Sequence, residues 1–315
     1  MAWFPIKLVP DNTKFDFVRW RLFWFFITAA YVVVSIGFVA FHGLNLGIDF
    51  KGGILMEVKT KGPADIDAMR GKLGDLGLGE VALQGFGAPD DVLIRVQRQE
   101  GGEEAQQAAV EKVKGALTDS VETYRRTEFV GPKVGGELIR GGIIAVVASV
   151  LAIAAYVWFR FEWQFAVGAI VALAHDVIGT FGLFSITGLE FNLSSVAAIL
   201  TIAGYSINDT VVIFDRVREN LRKYKSMDIK ELINLSVNET LARTVMTSMT
   251  TFLAVLAIFL FGGPVIQGFS AAMIFGILIG TYSTVYVASS ILIYLSIREK
   301  ISSGEVGSAT AAKKD

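Results

Sequence analysis

A carboxylate stands inside an apolar run long enough to cross a bilayer. Residues 191–214 read FNLSSVAAILTIAGYSINDTVVIF, and Asp209 lies within them. A charged side chain in hydrocarbon costs about 2.5–3.5 kcal/mol on insertion scales, so it is rarely retained without a use. Arg243 opens the following apolar run, RTVMTSMTTFLAVLAIFLF. Burial favours the protonated form of a carboxyl group, whereas a guanidinium within about 4–6 Å favours the ionised form. A helix motion that brings Arg243 toward Asp209 would expel a proton, and separation would recapture it. The competing reading is structural, with Asp209 locking helix packing alongside Asn208 and Ser206.

On a helix, positions 202, 205, 206, 209, 212, 213 and 216 share a face. That face carries Tyr205, Ser206, Asp209 and Arg216, with Asn208 and Thr210 flanking it. Gly204 permits close approach of a neighbouring helix. Asp215, Arg216 and Arg218 fall at the inner headgroup level and read as interfacial anchors. In the next run Thr240, Thr244, Thr247, Thr250 and Thr251 recur with Arg243 at helical spacing. Their hydroxyls either bond back to the i−4 carbonyl or line a hydrated path from the inside to Asp209. His175 and Asp176 lie near the centre of an earlier run, ALAHDVIGTFG. Adjacent helical residues point about 100° apart and are not expected to face one another. Structural bonding to a neighbouring helix or to backbone is the first reading for this pair, and a proton relay the second.

Other chemistries find little support. The chain has no cysteine and two histidines, His42 and His175, so thiolate sites and histidine metal clusters are excluded. The glycine-rich GIDFKGG at 47–53 follows an apolar helix and precedes a strand, the reverse of a phosphate cradle. No G-x-x-x-x-G-K-[ST] pattern occurs, so ATP does not drive the chain directly. No catalytic constellation, cofactor fingerprint or nucleic-acid signature stands out, and neither enzyme activity, a cofactor nor a metal is expected.

Six apolar segments must position these residues, at 21–41, 138–159, 164–186, 191–214, 244–262 and 266–296. With 53% hydrophobic residues and a mean hydropathy of +0.53, the 315-residue chain reads as a polytopic α-helical membrane protein. Lys7, Lys14, Arg19 and Arg21 precede the first segment without a cleavage site, which reads as an uncleaved anchor. The connection 215–243 carries seven cations, from Arg216 through Lys230 to Arg243, and the tail at 297–315 carries Arg298, Lys300, Lys313 and Lys314. The turns at 187–190 and 262–267 carry none. Cytoplasmic loops are enriched in Lys and Arg, which puts both termini inside and segment 42–137 outside. Within the inner connection, 226–242 reads as an amphipathic helix on the membrane surface leading into span five.

The outer segment alternates in two ways. ILMEVKT and VLIRVQR have the period of a strand, and AMRGKL and AVEKVKGAL that of a helix. The predicted order is strand 52–60, helix 63–77, strand 80–86, strand 91–97, helix 102–117 and strand 120–131. This β-α-β-β-α-β order is the ferredoxin-like α+β arrangement.

Several stretches together resemble the SecF family, membrane subunits of the SecDF complex of protein export. They are LGIDFKGG (46–53), VGPKVGGEL (130–138), LAHDV (173–177), AGYSINDTVVIFDRVREN (203–220), LARTVMTSMTT (241–251) and FGGPVIQGF (261–269). The resemblance implies a bacterial inner-membrane protein of the resistance-nodulation-division (RND) superfamily. SecD, the SecYEG channel and YajC are the implied partners, with a translocating preprotein as cargo. It further implies that proton-motive force, or a Na+ gradient, helps move exported chains on the outer side. The family's coupling aspartate and arginine carry over to Asp209 and Arg243, and the resemblance implies Thr247 as a further member of the ion-coupling set. A half-sized RND exporter of small apolar solutes and a non-coupled scaffold are the alternative readings.

Overall fold

The computed structural model describes residues 10, 13–85, 87–263, 266–295 and 297. Lys7, Phe86 at the end of a predicted strand, the turn residues Pro264 and Val265, and the tail beyond Ile297 lie outside them.

In chain order the elements are α1 (Arg21–His42), α2 (Ile48–Lys51), β1 (Gly53–Thr60), α3 (Ile66–Gly74), β2 (Val81–Gly85), β3 (Asp91–Val96), α4 (Gly102–Leu117) and β4 (Val121–Val130). There follow α5 (Pro132–Arg160), α6 (Trp163–Thr187), α7 (Leu193–Lys223), α8 (Ile229–Phe261) and α9 (Gln267–Ser283). The last helix continues as a π-helical turn (Thr284–Ala288), α10 (Ser289–Ile291) and a 3-10 turn (Leu292–Tyr294). Six of these helical stretches are long and apolar enough to cross a membrane: α1, α5 to α8, and α9 with its continuation to Tyr294. The remainder is a small α+β domain, and the chain is a polytopic helical membrane protein.

In that domain the strands form one antiparallel sheet in the order β2-β3-β1-β4. Strand alternation gives it two unlike faces. Ile54, Met56, Val58, Val92, Ile94 and Val96 point to one side and are buried with Met69 and Leu73 of α3 and Val113 and Leu117 of α4. On the other side Glu57, Leu93, Arg95 and Glu128 line a cleft with Glu190 and Asn192 from the turn between α6 and α7. Arg95 and Glu190 form an ion pair across it. The linker before the sheet is pinned to the same turn. Phe191 N–H donates to Asn45 O at 2.8 Å, Gly47 N–H to Phe191 O at 2.9 Å, and Leu193 N–H to the Asp49 carboxylate at 2.9 Å. Burial holds the Glu190 carboxyl above the usual carboxylate range, with Asp49 adding to the push and Arg95 opposing it.

Local sequence explains where the membrane helices stop. Gly188 takes a left-handed φ of 66° at the end of α6, a conformation glycine adopts without strain. Asn192 then caps α7, accepting from Ser195 N–H at 3.1 Å while Ser195 Oγ accepts from Asn192 N–H at 3.2 Å. The fourth apolar segment, read as ending at 214, is the upper part of a 31-residue helix that runs on to Lys223. Where the sequence reading separates an amphipathic surface helix from span five, α8 is one uninterrupted helix of 33 residues. Residues 229–261 contain neither glycine nor proline, so nothing breaks the backbone ladder. Leu232, Ile233 and Val237 are buried against Phe214, Val217 and Leu221 of α7 rather than lying on a lipid surface.

The chain before α1 straps across the start of α8. Phe15 N–H donates to Asn238 Oδ1 at 2.9 Å, Asn238 Nδ2 returns a bond to Phe15 O at 2.8 Å, and Phe17 N–H donates to Asn234 Oδ1 at 2.8 Å. On the same side Arg160 pairs with Asp215 at 2.9 Å, and Arg218 with Glu162 at 3.2 Å.

Candidate ion-coupling site

The buried side of α7 comprises Ile199, Ile202, Ala203, Ser206, Asp209, Thr210, Ile213, Phe214 and Val217. Spacings of three and four make this a continuous helix face. It is rotated slightly from the expected one, because Thr210, read as flanking, lies within it and Tyr205 is only half-buried. Asn208 is exposed, on the side away from this face.

Asp209 has only 3% of its surface exposed. Its one hydrogen bond among the described residues comes from α8, where Thr247 Oγ1 donates to Oδ1 at 3.4 Å. That distance is at the long limit for an O–H donor and leaves the carboxylate weakly held. Arg243 lies one turn before Thr247 on α8 and is exposed. No ion pair within 4.0 Å joins it to Asp209 among the described residues. The carboxylate, the hydroxyl and the guanidinium thus occupy one inter-helical neighbourhood, with the guanidinium withdrawn. Such a set can bind a proton or a small cation in one arrangement and release it in another, because unit charges interact as the inverse of their separation.

The threonines of α8 mostly bond to their own backbone. Thr240 donates to Ser236 O at 3.0 Å, Thr250 to Met246 O at 2.9 Å, and Thr251 to Thr247 O at 2.9 Å. Thr244 is the exception, for its buried hydroxyl has no partner among the described residues. Thr247 bonds back to Arg243 O at 3.1 Å and also reaches Asp209, so it is the member of the stripe that faces the acid.

His175 and Asp176 do meet, contrary to expectation: His175 Nδ1 lies 2.9 Å from Asp176 Oδ1. Nδ1 is the ring nitrogen nearest the backbone, and a rotation about the side-chain torsions closes a gap that the 100° offset of the Cβ atoms leaves open. Asp176 is fully enclosed, and its Oδ2 accepts from Ser206 Oγ at 2.5 Å and Ser283 Oγ at 2.8 Å. Ser206 is thereby bonded to Asp176 rather than to Asp209. The ring of His175 contacts those of Tyr31, at 5.0 Å, and Tyr282, at 5.9 Å, and its Nε2 has no partner among the described residues.

Ser283 and Thr284 escaped the sequence reading. The run TYSTVYVASS at 281–290 carries enough hydroxyls to have drawn notice in an apolar segment. Nothing in it signals the π-helical turn. The pair Arg95–Glu190 was likewise invisible, since its two residues belong to different domains.

Comparison with known proteins sets this geometry in context. Residues 109–298 match the family model for the C-terminal region of the protein export membrane proteins SecD and SecF, and residues 37–64 match that for the SecD/SecF GG motif. The protein translocase subunit SecF of Rickettsia akari is 46% identical over 302 residues, 95% of this chain and 97% of its own. That of Rhodobacter capsulatus is 47% identical over 308 residues, covering 93% and 92%. The crystal structure of SecDF from Thermus thermophilus, a translocon-associated membrane protein, superposes with a TM-score of 0.81 at 35% identity over 92% of this chain. A second SecDF crystal structure, in a super-membrane-facing form, gives 0.70 at the same identity. The chain spans 39% of the length of the first SecDF chain and 41% of the second.

Proposed function

Because the chain belongs to the SecF family of protein translocase subunits, we propose that it works with SecD to couple a transmembrane ion gradient to protein export through the SecYEG channel. The observation that carries this reading is Asp209, a buried carboxylate held by a single 3.4 Å bond from a different helix. A buried charge is stable only when paired or well bonded, so an acid left this loosely held is suited to exchanging an ion. In the cycle, α8 carries Arg243 toward Asp209, which favours the ionised carboxylate and drives the bound proton off. Retreat of the guanidinium restores the affinity. Thr247 keeps a hydroxyl against the acid throughout. The outer domain holds an emerging preprotein in one arrangement and frees it in the other.

Orders of magnitude are compatible with that cycle. One charge moved through about 150 mV yields roughly 3.5 kcal/mol. Inverting a two-state equilibrium from 1:99 to 99:1 takes about 5.5 kcal/mol. One ion falls short of that and two exceed it, so about two ions per cycle suffice to swing the outer domain.

The Lys and Arg of 215–243 support a cytoplasmic side for that connection and for both termini, with the sheet domain in the periplasm of a bacterial inner membrane. YajC is a further partner on this reading. The test is preprotein export in inverted membrane vesicles, with ΔpH and the Na+ gradient varied separately. Export by the wild-type chain is expected to rise with one gradient, and that rise is expected to vanish in Asp209→Asn and Arg243→Ala. An Asp209→Asn variant as gradient-dependent as wild type would overturn the reading in favour of a scaffold.

A further inference from the structure

Asp209 has two sides, and they are built differently. Toward α8 there is the one long bond from Thr247. Beyond Thr244, Val255 is the only fully buried residue of α8, and the helix meets the bundle there through half-buried side chains such as Ser248, Phe252 and Leu256. On the other side, the residues flanking Asp209 on α7 are both tied to further helices. Ser206 Oγ donates to Asp176 of α6, and Thr210 Oγ1 shares a hydrogen bond of 2.9 Å with Thr284 Oγ1. Ser283, next to Thr284, donates to the same Asp176 oxygen, so one carboxylate joins α6, α7 and the last span.

Two features of the last span make this closure feasible. Neighbouring residues of a regular α-helix diverge by about 100°, yet Ser283 and Thr284 both engage partners on the inner side. The widened π-helical turn starts at Thr284, and such turns re-aim side chains. Gly280 then lets α7 approach, since a Cβ there would lie 3.2 Å from Ser206 Cβ. The groups facing Asp176 and its neighbour are His175 on its own helix, Tyr31 of α1 and Tyr282 of α9. Asp209 itself faces Thr247 and, one turn away, Arg243.

We propose that Asp176 is a positioning residue that clamps α7 to α6 and the last span, making α7 a fixed backstop against which α8 moves when Asp209 exchanges its ion. The inference rests on the ion-coupling reading and adds which helix moves and which residue holds the other still. A carboxylate with three bonds from three directions, and no exposed surface, resists the reorganisation that its loosely held neighbour permits.

The chain contains no cysteine, which makes engineered disulfides a direct test. In the complex with its partner subunit, in inverted vesicles, Thr210→Cys with Thr284→Cys locks α7 to the last span. Ser248→Cys with Thr281→Cys locks α8 to α9 at a pair whose hydroxyls lie 2.8 Å apart. Oxidation of the first pair is expected to leave gradient-driven export within about twofold of the reduced state, whereas oxidation of the second abolishes it reversibly. Asp176→Asn, which replaces one of the two acceptor oxygens by a donor, is expected to lower gradient-driven export about tenfold, and the α7 disulfide to restore it. Rescue by a bond elsewhere in the clamp is not expected of a residue needed only for folding. If the α7 disulfide blocks export as fully as the α8 disulfide, the proposal is wrong. If Asp176→Asn fails to accumulate, the two disulfides in the wild-type background still decide. Failure of the coupling reading looks different, because export by the reduced wild type would then ignore the gradient altogether.

Discussion

The sheet domain and the middle of the membrane bundle bury different mixtures of side chains. Beneath the sheet the enclosed side chains are mainly apolar, Ile54, Met56, Val58, Leu73, Ile94, Val113 and Leu117 among them, and the domain's buried polar side chains among the described residues are Thr60, Asp91 and Gln106. Between α6, α7 and the last span they include Asp176, Ser206, Asp209, Thr210, Ser283 and Thr284. In water the first pattern is what drives folding. In a membrane the lipid is as apolar as leucine, so helices gain little from burying carbon and more from close packing and hydrogen bonds. The difference shows that the sheet domain is stabilised by what it excludes, while the middle of the bundle is held in part by polar contacts between helices.

Several measurements would break or sharpen that contrast. The largest effect is expected for Asp209→Asn, which should abolish the gradient-dependent part of export without lowering the thermal midpoint of the purified protein. A midpoint many degrees lower would mark Asp209 as a packing residue like those of the sheet domain. Next comes Ile94→Ala, for which a cavity under the sheet is expected to cost about 2–5 kcal/mol. Hydrogen exchange should place that loss in the outer domain and leave the spans protected. Asp65→Ala, removing the cap that accepts from Ala68 N–H at 2.9 Å, should cost about 1 kcal/mol in the same domain. Least of all, Arg70→Ala at the exposed pair with Asp67 should change stability by under about 0.5 kcal/mol.

Between the two regions lies Glu190, and pH probes the join. Burial raises its proton affinity in the folded chain above that in the unfolded chain. Its contribution to stability is therefore fully present below the ordinary carboxylate range and is lost as pH rises through the raised value. Thermal midpoints measured across that window should fall with rising pH in wild type and fall less in Glu190→Gln. Equal slopes would mean that the sheet domain rests on the spans without this contact.

Much of this architecture is legible from periodicity. Six apolar runs and the alternation in ILMEVKT and VLIRVQR suffice to anticipate six membrane helices and a small α+β domain, because burial of one face imposes those patterns on any chain. Continuity of α8 was harder to read, since a charged stretch ahead of an apolar one looks like a surface helix until tertiary packing of Leu232 and Ile233 is known. At the site, Asp209 announced itself by being out of place. Ser283 and Thr284 did not, for a hydroxyl in a membrane helix is ordinary until its partner on another helix is known. The contact between His175 and Asp176 depends on side-chain torsions, which no spacing rule contains.

The strap formed by Phe15 and Phe17 has a mechanical consequence. It fixes α8 near Asn238, close to one end of a rod about 50 Å long at 1.5 Å per residue. From that pivot Thr247 is about 13 Å away and Phe261 about 35 Å. Any tilt therefore grows along the rod, and a shift of about 1 Å beside the acid becomes roughly 2.5 Å at the far tip. Leverage of this kind carries a small displacement beside Asp209 to the far tip of α8 at a larger amplitude.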